Sequence, residues 1–98
     1  MITHVVAIRW KPEMPAEHVE LIRTSLVALV PQIDSILSYH CGPDLGVGAG
    51  NADFSVVATF ADLDGWRAYS SFPEHVRVRD ELMVPWIADR SAVQFASD

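Results

Sequence analysis

The sequence predicts an α+β domain, a four-stranded antiparallel sheet with both helices packed on one face. Segments rich in β-branched residues with a period of two occur at 2–10, 35–41, 53–60 and near 91–96. Apolar residues at helical spacing fill 16–30 and recur in a second stretch that opens at Leu63. A glycine-rich loop alone joins the second and third strands, whereas helices join the first to the second and the third to the fourth. The order is β-α-β-β-α-β, and a single domain spanning residues 1–98 accounts for all of it.

The first strand, "ITHVVAIRW", places His4, Val6, Ile8 and Trp10 on one face and Val5, Ala7 and Arg9 on the other. "KPEMP" breaks it. The first helix is expected from Ala16 to about Val30, with Val19, Ile22, Leu26, Leu29 and Val30 inside and Pro31 ending it. "SILSYHC" alternates as a strand, and "GPDLGVGAGN" reads as a loop. The "GVGAG" within it leads into a strand and not a helix, so it lacks the setting of a phosphate-binding turn. "DFSVVATF" puts Phe54, Val56, Ala58 and Phe60 on one face and Ser55, Val57 and Thr59 on the other. Asp62 is a suitable N-cap for a short helix carrying Leu63, Trp66 and Tyr69, and "SAVQFA" supplies the last strand.

The second helix contains an interruption, "YSSFPEHVRVRDEL". Proline disfavours helical geometry in the residue before it, so the helix should stop at Ser71 or Phe72. Pro73 then opens a new helix, where its missing N–H is harmless. On one continuous helix Tyr69 and His75 would lie about 240° apart; the break frees both to reach one cavity. A position near the new N-terminus favours neutral imidazole at His75, the form that accepts a proton. On spacing alone, Tyr69 as a core residue and His75 as a surface capping residue stays open. Arg77, Arg79, Asp80 and Glu81 read as a charged helix face, solvated or touching a partner. His18 reads as solvent-facing and His40 as a strand residue, while Trp10, Trp66 and Trp86 form either packing or a stacking box.

The order of elements is that of the ferredoxin-like fold. Its helices cover one sheet face only, yet Val5, Ala7, Val57, Val93 and Phe95 on the other are too apolar for water. A homodimer with these faces together is therefore expected. A net charge of −6 with seven Lys+Arg argues against a nucleic-acid partner. No run reaches the roughly 18 apolar residues of a membrane span. The opening "MITHVV" has no signal-peptide pattern, and a cytoplasmic location is expected, with Cys41 a packed strand thiol. His4, His18, His40 and His75 lack ligand spacing, so no metal site is expected.

In "THVVAIRWK", "FSVVATFADLDGWRAY", "FPEHV" and "PWIADR" the chain resembles the stress-responsive dimeric α/β-barrel (Dabb) family over nearly its whole length. The resemblance implies a homodimer whose two sheets form a barrel. It is similar as well to one branch, the plant polyketide cyclases that act on olivetolic acid precursors by aldol condensation without a cofactor. That likeness implies His75 as general base and Tyr69 as the anchor for a carbonyl or enolate oxygen, with His4 and Trp86 in the substrate pocket. Val6, Ile8, Leu26, Val27 and Val56 would line it. Where the branch has an aspartate that orients the catalytic histidine, this chain has Gln94; Phe54 and Phe72 stand where the branch has histidines. The implied role is a protein that binds a small apolar or aromatic molecule, with cyclase-type or lyase-type chemistry and no cofactor. The alternatives are a stress-associated structural dimer without catalysis and a cofactor-independent monooxygenase.

Overall fold

The computed structural model describes residues 1–98. Strands β1 (Ile2–Trp10), β2 (Ile36–Pro43), β3 (Phe54–Phe60) and β4 (Ile87–Ala96) form one antiparallel sheet in the order β2-β3-β1-β4. Helices α1 (Ala16–Val27), α2 (Leu63–Ser70) and α3 (Pro73–Arg77) cover one face. The expected α+β, ferredoxin-like arrangement is the one observed. No helix is long and apolar enough to cross a membrane.

The core lies between helices and sheet. Val6, Ile8, Phe54, Val56, Ala58 and Phe60 rise from the sheet, and Ile22, Leu26 and Leu29 descend from α1 and the turn after it. Their spacings of two on the strands and three to four on the helix place them on single faces. The first helix ends one turn earlier than its apolar pattern suggests, at Val27. Pro31 has no N–H to offer the Val27 carbonyl, so the α-helical ladder stops a full turn before the proline. A short 3₁₀ turn, Val30–Gln32, carries the chain onward.

α2 begins as expected, with Asp62 Oδ1 accepting the Gly65 N–H at 2.9 Å. Leu63 is 43% exposed; Trp66 and Tyr69 carry the contact with the sheet. α2 ends at Ser70 and α3 starts at Pro73, so the predicted break is present. After Arg77 the helix widens into a π-type stretch, Val78–Met83, and closes with a 3₁₀ turn at Val84–Trp86. β4 is longer than "SAVQFA" and begins directly after that turn.

β2 carries an irregularity that sets up the site. Ile36 pairs with Phe60 but Ser38 pairs with Thr59, so Leu37 bulges out and the alternation resets. Tyr39 is thereby turned to the helix-covered face, opposite Ala58. One row then crosses all four strands on that face: Tyr39, Ala58, His4 and Gln94. The neighbouring row on the opposite face, Val57, Val5 and Val93, is apolar and uncovered, with Val93 52% and nearby Phe95 47% exposed.

Candidate functional site

His4, alone of the row Tyr39, Ala58, His4 and Gln94, lines a cavity of about 120 Å³ between the sheet and the helices. Its floor is Val6, Ile8 and Val56, its apolar wall includes Leu26, Met83, Val84 and Ile87, and His4, Trp66, Tyr69, His75, Arg79 and Arg90 bring the polar atoms. Tyr69 and His75 meet here, their ring centroids 4.2 Å apart. Tyr69 is 3% exposed and also lies against His4, Phe60 and Tyr39. Ala58, directly beneath in the sheet, leaves room for these rings.

His75 spans the helix break. Its Nδ1 lies 3.1 Å from the Ser70 carbonyl, one of the acceptors that the end of α2 leaves without an N–H. A carbonyl only accepts, so Nδ1 carries the proton and Nε2 keeps its lone pair. Burial lowers the His75 pKa; the Ser70 hydrogen bond opposes that effect and the Arg79 charge adds to it. The neutral form expected from the sequence thus has a different cause. α3 has only five residues, and burial, not its N-terminus, keeps the imidazole neutral.

His4 has the complementary proton arrangement. Its Nδ1 is 3.3 Å from the Trp66 indole nitrogen and 2.8 Å from Gln94 Nε2. Indole N–H groups only donate, so Nδ1 is an acceptor and the proton sits on Nε2. Burial lowers the His4 pKa to about 4, with the positive charge of Arg90 acting in the same direction. The two histidines therefore differ in role: His75 Nε2 is an acceptor and His4 Nε2 a donor. The Tyr69 hydroxyl is 2.9 Å from that of Tyr39. Burial raises the Tyr69 pKa to about 12 and raises that of Tyr39 further, so both phenols stay protonated.

Four expectations about individual residues are corrected. Val27 is 44% exposed on the far side of α1 and lines no part of the cavity, because the stripe at Ile22, Leu26 and Leu29 takes the inner face. Trp86 stands outside the cavity, its ring 5.8 Å from His18. His18 is accordingly not solvent-facing: it is half-buried and its Nε2 lies 2.8 Å from the Leu82 carbonyl. Gln94 holds His4 and not His75, since the register puts it directly beside His4. Arg79 and Arg90 line the cavity and Tyr39 reaches it through the Tyr69 hydroxyl, three residues that the sequence reading missed, whereas Trp66, read as packing or part of a stacking box, does line it. The period-two row Gln94, Ala92, Arg90 carried a signal for Arg90, as the four-residue spacing His75, Arg79, Met83 did for Arg79.

The model of the stress responsive A/B barrel domain family, Dabb, matches residues 2–97. The chain belongs to that family. Among solved structures, this Dabb domain is similar to a dimeric ferredoxin-like protein of unknown function from Thermobifida fusca YX. The two are 41% identical with a TM-score of 0.91, over 98% of this chain and 90% of that one. It shares its fold with a Dabb protein of Mesorhizobium loti, at 16% identity and TM-score 0.80 over 98% and 95% of the two chains. The hydroxynitrile lyase of Passiflora edulis has the same fold, at 16% identity and TM-score 0.85 over 99% and 93%. No protein of curated function matches the Dabb chain.

Proposed function

We propose that this Dabb domain is a homodimer that binds a small apolar or aromatic carbonyl compound and catalyses cofactor-free proton transfer leading to aldol-type carbon–carbon bond formation. One observation carries the reading: a single cavity brings together an imidazole fixed as acceptor, His75, with an imidazole fixed as donor, His4, and the Tyr69 phenol.

In the proposed cycle His75 Nε2 takes a proton from the carbon next to a carbonyl. The C–H electron pair becomes the enolate double bond, and the carbonyl pair moves onto oxygen. Tyr69 O–H and His4 Nε2–H stabilise that oxygen, as donors aimed at developing charge do. The enolate carbon then attacks a second carbonyl, and the new alkoxide recovers the proton from the His75 imidazolium. Proton and electron pairs balance within the substrate, so no cofactor is required. A cavity of about 120 Å³ compares with the roughly 150 Å³ that holds one benzene ring, which favours a compact substrate over a long chain.

The dimer is supported by the uncovered row at Val57, Val5 and Val93 and by the dimeric Thermobifida protein. A purely structural dimer would fill the helix–sheet space with side chains; convergent polar groups there favour the binding reading. The test is deuterium uptake at the α-carbon of small aryl ketones and β-diketones, followed by NMR. Uptake should rise with pH through a pKa below the 6.5 of free imidazole. His75→Ala should slow it by about 10²–10⁴, the usual contribution of a positioned base. Uptake unchanged in that variant would remove His75 from the mechanism.

A further inference from the structure

The cations of this chain are distributed unevenly over its surface. Of its seven Lys+Arg, six have a partner. Arg9 reaches the carbonyls of Asn51 and Gly50, and Lys11 that of Pro85. Arg23, Arg67 and Arg77 pair with carboxylates on their own helices. Arg79 uses only its Nε, on Asp80 at 3.0 Å, which leaves both terminal nitrogens without a hydrogen bond. Arg90 alone makes no ion pair and no hydrogen bond. Arg79 and Arg90 are also the two cations that line the cavity, and none of the thirteen Asp and Glu residues lines it. In a chain of net charge −6 this is a local reversal of sign.

The two arginines arrive from opposite sides. Arg90 stands on β4 in the row of Ile8, on the helix-covered face. Arg79 lies in the widened π-type stretch, four residues after His75. Resting on the binding reading above, we propose that the ligand is a small apolar acid: its carbon skeleton occupies the cavity, and its carboxylate is held by Arg79 and Arg90. Guanidinium forks suit a planar carboxylate, and charge-assisted hydrogen bonds of this kind are about twice as strong as neutral ones. The same field acts on the histidines, since Arg90 and Arg79 each contribute to keeping their neighbouring imidazole neutral.

The experiment is calorimetric titration of the intact protein at fixed ionic strength with matched probes: benzoate against benzamide, and hexanoate against hexanamide. The carboxylate of each pair should bind about tenfold tighter or better, the size expected for a charge-assisted hydrogen bond. Arg90→Gln and Arg79→Gln should each reduce that preference severalfold while changing the affinity of the amides less than twofold. Both side chains are substantially exposed, and thermal melts would verify that the variants fold. Amide and carboxylate binding with equal affinity would overturn the anion assignment and leave the pocket intact. Binding by none of the four probes would overturn the pocket reading as well. An undiminished carboxylate preference in both variants would remove the arginines as its source.

Discussion

Two imidazoles in this cavity have their protons assigned by neighbours that can play only one hydrogen-bonding role: the Trp66 indole donates to His4, and the Ser70 carbonyl accepts from His75. The consequence reaches stability as well as chemistry. His4 is neutral in the folded chain down to about pH 4, whereas free imidazole titrates near 6.5. Between those values the unfolded chain binds more protons, so stability is complete above about pH 6.5 and falls as pH drops toward 4. A pKa difference of this size makes His4 responsible for roughly 2–3 kcal/mol of that loss. His75, lowered in the same direction, adds to it. Denaturant unfolding between pH 6.5 and 4.5 should show this slope and a flatter one in His4→Gln; parallel slopes would deny His4 the role. Pro73 made the meeting of Tyr69 and His75 legible in the sequence. Tyr39 was not legible, because the Leu37 bulge reverses the alternation that strand reading depends on. Nor was the partner of Gln94, which a register shared with His4 decides.

At the level of elements, α2 is eight residues long and could not persist alone in water. It is held by its cap and by the contacts of Trp66 and Tyr69. Asp62→Ala should therefore destabilise the domain by about 1 kcal/mol, and Asp62→Asn by less, since asparagine also caps well. A shift in the urea midpoint is the measurement, and an alanine variant as stable as the parent would show that packing alone seats the helix. The π-type stretch that follows has its own effect on the site. Residues four apart on an α-helix drift by about 40°. A wider turn rotates less per residue, so His75, Arg79 and Met83 stay on the cavity side together. Strand and helix order followed from hydrophobic period, and the break from one proline. The π-type widening left no such mark: "VRVRDELM" reads as an ordinary charged helical pattern, with no glycine or proline to signal it.

On the scale of the whole molecule, the decisive property is that the sheet has two apolar faces and one set of helices. Val57 stands on the uncovered face beside Val5 and is 36% exposed in the single chain. Replacement by Asp would put an unpaired charge in the proposed interface, which costs far more than lost contact area alone. Light scattering at micromolar concentration should give twice the 10.8 kDa chain mass for the parent and monomer or unfolded protein for Val57→Asp. A monomeric parent would overturn the dimer. This part was readable early, since alternation alone left Val5, Val57, Val93 and Phe95 without cover.

β4 belongs to both faces at once. Arg90 and Gln94 point with the helix-covered row, and Val93 and Phe95 with the uncovered one, on a single edge strand paired only to β1. An edge strand pinned by a second subunit loses freedom that a ligand-bound cavity would otherwise have to remove. Self-association and ligand affinity then belong to one thermodynamic cycle, and each must strengthen the other by the same factor. Dilution becomes a chemical variable: below the dimer dissociation constant, benzoate should bind more weakly, and saturating benzoate should hold the two subunits together at concentrations where the free protein separates. In the proposed ligand-binding dimer, the strand at the margin of the sheet would couple the cavity to the pairing of chains.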